Sequence, residues 1–272
     1  MTSRLLRPEA TCLMLLLVVL AVPPAMAGGF SVLVSPPRFE LSGEPGDIVR
    51  DHVEINNPGN LPITLELRTA DWDMDENGAT TFHPPELQPG SCRPWTRIER
   101  HSISLPAQTS KRFRFQVSIP DNAPTGECRL ALLIQAPMED AVMARADSLS
   151  FPVQGRIAVI MYIAIGDAQP ELVLEKLVLE ELNGQLTPVA VLHNRGNAHG
   201  RTAGYVDARD SKDVRLEFGV SAVPILPGQT RQVALRRALP DDATPAPLSP
   251  PLEMRGAIEW GTGQVKSSQR VE

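Results

Sequence analysis

The sequence is short of the residues that catalysis and metal binding draw on. Five histidines and three cysteines are spread over 272 residues, too few and too scattered for the clustered sets that hold a structural zinc ion. There is no Gly-x-Ser-x-Gly elbow, no cysteine in a protease context, no Gly-rich phosphate loop and no paired-histidine helix. His52, His83, His101, His193 and His199 have no evident acid–base partner in sequence. An enzyme, a resident cofactor and a metal site are all disfavoured. Basic charge is scarce as well: 26 Lys+Arg against 32 Asp+Glu give a formal net charge of −6. Nucleic-acid binding needs clustered cations to displace counterions from phosphates. Long helices are disfavoured by 26 prolines, since each lacks the amide hydrogen and clashes with the preceding turn.

What is present suits a packed protein. With 42% hydrophobic and 21% charged residues the chain can bury a core, and its length suits two modest domains. Residues 1–27 read as an export signal. Arg4 and Arg7 make a basic start, an apolar run extends from Cys12 to Val22, and Ala25-Met26-Ala27 has the small-x-small form of a cleavage site. That run is too short to cross a bilayer, and no other segment is long and apolar enough, so the mature chain 28–272 is expected outside the cytoplasm without membrane insertion. An oxidising compartment allows Cys92 and Cys128 to pair, and closing a loop of about 36 residues contributes roughly 4 kcal/mol in the chain-entropy view. Two buried free thiols are the alternative, and the spacing matches no metal or redox motif.

The mature chain reads as short strands. Apolar and polar residues alternate in Val53-Glu54-Ile55, Ile63-Thr64-Leu65-Glu66-Leu67 and Phe113-Arg114-Phe115-Gln116-Val117, which buries one face and wets the other. Turn signals separate them: Glu44-Pro45-Gly46-Asp47, Asn57-Pro58-Gly59-Asn60, Gln88-Pro89-Gly90 and Pro124-Thr125-Gly126. This punctuation predicts antiparallel sandwiches. Arg156 to Ile165 is uninterrupted and β-branched, as in a strand covered on both faces. Gly166 to Pro170 reads as a linker, so the domains are expected at 28–167 and 168–272. Strands of the second half are expected at Leu172–Leu174, Leu186–Leu192, Ala203–Ala208, Thr230–Leu235 and Gly256–Trp260.

Two local patterns recur in the same order. Asn57-Pro58-Gly59-Asn60 returns as Asn194-Arg195-Gly196-Asn197, and Leu105-Pro106-Ala107-Gln108-Thr109 returns as Leu226-Pro227-Gly228-Gln229-Thr230. Two similar sandwiches in tandem explain the repetition. Asp71 to Gly78 is acidic enough to suggest a calcium loop, but its glycine falls at the eighth position and Phe82 stands where a twelfth-position glutamate belongs. A hairpin closed by Asn77-Gly78 accounts for it better.

Leu149-Ser150-Phe151-Pro152-Val153 alternates, and Pro152 cannot donate a ladder hydrogen bond, which suits an edge strand. An apolar edge invites pairing with another chain; packing within the protein's own sandwich is the other explanation of the pattern.

Several stretches together resemble the periplasmic pilus-assembly chaperones, the PapD-like family with two immunoglobulin-like domains. Pro37-Arg38-Phe39-Glu40-Leu41-Ser42-Gly43 resembles the family's first strand. Asn56-Asn57 resembles the end of the next, and Trp72 with the acidic turn to Gly78 resembles the following strand and hairpin. Leu149-x-Phe151-x-Val153-Gln154-x-Arg156-Ile157 resembles the strand that serves the partner subunit. The likeness runs from about Phe30 to Asp167.

The resemblance implies an all-β, non-enzymatic periplasmic chaperone. Its partners would be a pilin-like subunit and an outer-membrane usher. Leu149, Phe151 and Val153 would fill the open groove of an unfinished subunit. The subunit's terminal carboxylate would be anchored by an arginine and a lysine. Arg38 matches the arginine, whose planar fork suits a carboxylate. The lysine's position falls on Ala158, and Arg156 on the same side of the strand is the nearest substitute. An exported structural or adhesion protein built of tandem immunoglobulin-like modules is the alternative.

Overall fold

The computed structural model describes residues 31–75, 78–137, 142–146, 149–239, 247–261 and 263–272. The export signal expected at 1–27 and Asn77 of the expected hairpin turn lie outside the described residues, as do the side chains of 142–146 and 149–153.

Period-two patterning becomes strand wherever it occurs. The first half holds β1 (Leu33–Ser35), β2 (Arg38–Gly43), β3 (Ile48–Asn57), β4 (Ile63–Met74), β5 (Thr80–His83), β6 (Thr96–Ile98), β7 (Ser102–Leu105), β8 (Thr109–Ser118), β9 (Gly126–Gln135), β10 (Val142–Ala146), β11 (Leu149–Val153) and β12 (Arg156–Ile165). One sheet has the order β1-β3-β8-β6 and the other β2-β12-β9-β4-β5, with β7 beside β4. The chain changes sheets between β1 and β2, and β2 then runs parallel to β12. This is the strand order of an immunoglobulin-type sandwich. Its core is built by the alternating residues: Val53 and Ile55 of β3 stand beside Phe113, Phe115 and Val117 of β8 in one layer, while Val159, Met161, Ile163 and Ile165 close the other layer. Phe39 meets Phe115 edge to face at 5.0 Å. Burying each such side chain contributes about 1.5–3 kcal/mol.

The second half holds β13 (Leu172–Leu182), β14 (Gln185–Asn194), β15 (Gly200–Arg201), β16 (Tyr205–Arg209), β17 (Arg215–Val220), β18 (Pro224–Ile225), β19 (Thr230–Arg237), β20 (Leu252–Trp260) and β21 (Gly263–Val271). They pair in the order β13-β14-β19-β17-β16-β20-β21. β19 pairs with β14 along Thr230–Ala234 and with β17 along Leu235–Arg237, so one strand serves both layers around a second core. β17 and β21 carry no clear sequence signal. β21 forms because β20 pairs with it from Leu252↔Val271 to Trp260↔Gly263.

The repeated turns are one device used twice. Asn57 Nδ2 donates to the carbonyls of Leu61 (2.8 Å), Leu105 (3.4 Å) and Pro106 (3.1 Å), while its Oδ1 accepts from the Gly59 amide (3.0 Å). Asn194 Nδ2 donates to the carbonyls of Ala198 and Ile225, both at 2.8 Å, and its Oδ1 accepts from the Gly196 amide (2.9 Å). Both asparagines are buried. Gly196 has no room for a side chain: a Cβ there would stand 2.3 Å from the Gln169 carbonyl oxygen. That close approach seats the connecting residues against the second sandwich.

Cys92 and Cys128 are joined by a disulfide that links the loop before β6 to β9. The acidic segment is a hairpin between β4 and β5, in which Gly78 donates its amide to the Asp75 carbonyl and Asp75 to that of Ala79, both at 3.0 Å.

β11 pairs with β10 alone, from Leu149↔Ala146 to Val153↔Val142. The two make a separate two-stranded sheet that shares no ladder with either sandwich. Among the described residues no strand lies along the other edge of β11.

Candidate functional site

Register decides which residues of β2 reach the outside. Arg38 sits opposite Ile160 and Glu40 opposite Tyr162, while Phe39 between them enters the core. Arg38 and Glu40 therefore share the outer face of the sheet with alternate residues of β12. That face is apolar rather than wet. Ala70 and Trp72 from β4, Ala131 and Leu133 from β9, and Tyr162 from β12 form a buried cluster, closed by Leu226 of the second sandwich. Ala158 and Ile160 lie half-buried against it.

The two sandwiches meet at the Tyr162 end of this face. The Glu127 amide donates to the Asn197 carbonyl at 2.8 Å, and the His199 amide donates to Glu127 Oε2 at 3.1 Å. His199 Nδ1 also contacts Glu127 Oε2, and its ring stacks on Tyr162. Gln229 Nε2 donates to the Met74 carbonyl at 2.8 Å. Trp72 donates its ring N–H to the Leu130 carbonyl at 3.2 Å, and the Arg129 guanidinium lies over that indole at 5.7 Å, a cation–π geometry.

Charge gathers along this seam. Arg38 Nε contacts Glu40 Oε1 at 2.7 Å, and Arg201 of β15 approaches the same carboxylate from the second sandwich. Glu127 is nearly sealed from solvent, with Arg129 Nη1 at 3.8 Å from its second oxygen. Burial pushes the Tyr162 phenol up to about 12, opposed in part by the Arg201 charge. Burial, followed by the like charge of Arg38, holds the Arg201 guanidinium below its usual value. Both follow from the cost of a charge in a poorly hydrated place.

Arg38 thus stands at the open end of the seam. Arg156 does not join it. It is exposed, faces Gln135 in the register, and donates from Nε to Gln135 Oε1 at 3.2 Å. The partner of Arg38 on β12 is Ile160, about 13 Å further along at the usual strand rise. Ala158 contributes methyl surface to the apolar cluster and no charge. Leu149, Phe151 and Val153 lie in β11, separated from β12 by Gln154 and Gly155 alone.

Glu40, Glu127, His199 and Arg201 escaped the reading of the sequence. His199 and Arg201 flank Gly200 just after the second Asn-x-Gly-Asn turn, a corner that the repeat between the two halves of the chain marks.

No family model matches the chain, and no curated protein does. Similar outlines occur among solved structures. One belongs to the CsuC–CsuE chaperone–tip adhesion subunit pre-assembly complex from archaic chaperone-usher Csu pili of Acinetobacter baumannii: 14% identity over 89% of this chain and 98% of that one, with a TM-score of 0.46. Another is the class 5 fimbriae chaperone CfaA: 13% identity, 86% of this chain, 100% of that one, TM-score 0.44. A third is the complex of the Salmonella enterica SafA pilin with the SafB chaperone: 12% identity, 89% of this chain, 97% of that one, TM-score 0.44.

Proposed function

We propose that this chain is a divergent, non-enzymatic, periplasmic chaperone of the PapD-like kind, with domains at 28–167 and 168–272. It lends β11 to an incomplete β-sandwich subunit and holds it until assembly at an outer-membrane usher. The observation that carries the proposal is the pairing of β11: it has β10 on one side, no described strand on the other, and no ladder to either sandwich. A strand with a free edge completes another chain's sheet through backbone hydrogen bonds, and its alternate side chains give the contact specificity. Arg38 supports the same reading, because it lies on the outer sheet face beside β12, the strand that runs on from β11.

The test is co-purification with a pilin-like subunit expressed in the same periplasm. Phe151→Asp is expected to abolish capture with the fold intact, and Arg38→Ala to weaken it. Full capture by a folded Phe151→Asp variant would overturn strand donation and favour tandem modules acting as spacers, for which the ribbon is dispensable.

A further inference from the structure

One sheet face of this acidic chain is basic. Val53 and Ile55 of β3 and Phe113 and Phe115 of β8 are buried in the first core, so Arg50, Arg112 and Arg114 at the alternate positions face outward. Arg97 of β6 joins them: it stands opposite Gln116, which stands opposite Arg50. All four arginines are exposed, and among the described residues none is held in an ion pair. The carboxylates of this face do not cancel them. Glu54 is opposite Arg112 in the register without forming an ion pair with it, and Glu99 is taken by Arg100 and by the Arg114 amide at 3.2 Å. Aliphatic side chains bound the cluster at both ends. Ile48, two residues before Arg50, is 48% exposed; Leu33, opposite Asn56 at the far end of β3, is 61% exposed. Both share the outward face, because Val49 and Val34 beside them pack against the core. The two ends lie about 27 Å apart at the usual strand rise, with the arginines between them.

We propose that the outward face of the β1-β3-β8-β6 sheet docks this protein reversibly on an anionic lipid bilayer. Guanidinium groups take lipid phosphates as forked partners, and their methylene stems lie along the headgroup layer. Ile48 and Leu33 reach the boundary of the acyl chains from the two ends of the face, as the apolar side of an interfacial element does. An acidic protein would satisfy the arginines but gives no reason for exposed aliphatics at both margins. The chain as a whole has a formal net charge of −6, so the rest of its surface is repelled by the same bilayer and only this face turns toward it. Arg38, Glu40 and β12 belong to the other sheet of the first sandwich, which therefore looks away from the lipid. The docking does not depend on strand donation.

The test is co-flotation of the mature chain 28–272 with vesicles of mixed phosphatidylglycerol and phosphatidylcholine, or of phosphatidylcholine alone, in low-salt buffer. The chain is expected to float with the mixed vesicles, to stay behind with the neutral ones, and to be released by high salt. Arg50→Gln and Arg97→Gln should each lower the partition coefficient about fivefold, and the pair about twenty-five-fold, at the usual strength of one basic residue near an anionic surface. Arg215→Gln/Arg255→Gln removes the same charge from exposed positions of β17 and β20 in the second sandwich and should leave flotation unchanged. An equal loss there would overturn the assignment to this face. Leu33→Ser/Ile48→Ser should weaken flotation while its salt dependence persists. If that variant floats like the parent, nothing enters the lipid and the bilayer is the wrong partner. Soluble polyglutamate is run beside the vesicles; retention by it without flotation would make the face a site for an acidic polypeptide and overturn the proposal. Equal flotation with neutral vesicles would do the same. All four positions are exposed, so unchanged circular dichroism and melting show that each variant is folded.

Discussion

His199 lies nearly flat on Tyr162, with ring centroids 3.7 Å apart and planes 21° from parallel. One ring belongs to β12 and the other to the second sandwich, so the stack is the bolt between the halves. Trp72 meets the same tyrosine edge-on at 5.6 Å and 90°, an aromatic arrangement that favours one orientation over a greasy slide. The relation of Arg201 to Arg38 depends on this stack, because both flank it.

Tyr162 should titrate late. Its pKa is raised from 10.0 to about 12, chiefly by burial. A folded value above the unfolded one means that this group's contribution to stability is complete below pH 10 and is lost as the pH rises through about 12. Ultraviolet titration of the parent minus Tyr162→Phe should show a phenolate step near that upper value. A difference step centred on the ordinary tyrosine value would contradict the buried placement.

The disulfide should stabilise the first sandwich. Cys92 and Cys128 are separated by 36 residues, and a loop of that size restricts the unfolded chain by roughly 4 kcal/mol. Urea unfolding of Cys92→Ala/Cys128→Ala against the oxidised parent measures it. A loss below about 1 kcal/mol would show that the link does not restrain the unfolded ensemble as the entropy model requires.

Asn57 and Asn194 should behave as equivalents. Each satisfies buried backbone carbonyls with Nδ2 and a turn amide with Oδ1. Asn57→Ala and Asn194→Ala should each cost about 1–3 kcal/mol, since carbonyls stay buried without a donor. Because they sit in separate cores, the double variant should show the sum within a few tenths of a kcal/mol. Denaturant melts decide it, and a neutral Asn194→Ala would mean that the shared sequence pattern hides two different roles.

Much of the fold was readable from neighbouring residues. Phe113, Phe115 and Val117 announce β8 because alternate side chains of a strand share a face. Arg156 to Ile165 reads as covered on both faces, and β12 packs Val159 and Met161 into one core while Tyr162 enters the outer cluster. β21 was illegible: Gly263–Val271 is mostly polar and becomes strand only by pairing with β20. The distance of Arg156 from Arg38 along the sheet was hidden for a similar reason. Strand parity puts both on the same side, but only the register of β2 against β12 reveals the distance between them.

By itself, then, the sequence determined the alternating strands, the repeated asparagine corners and the two-sandwich plan, since periodicity and turn chemistry act over a few adjacent residues. Tertiary structure alone decided that Arg38, Glu40, His199 and Arg201 meet at one carboxylate oxygen. That meeting depends on the register of a parallel strand pair and on how one sandwich seats against the other, and neither leaves a local trace in the order of residues.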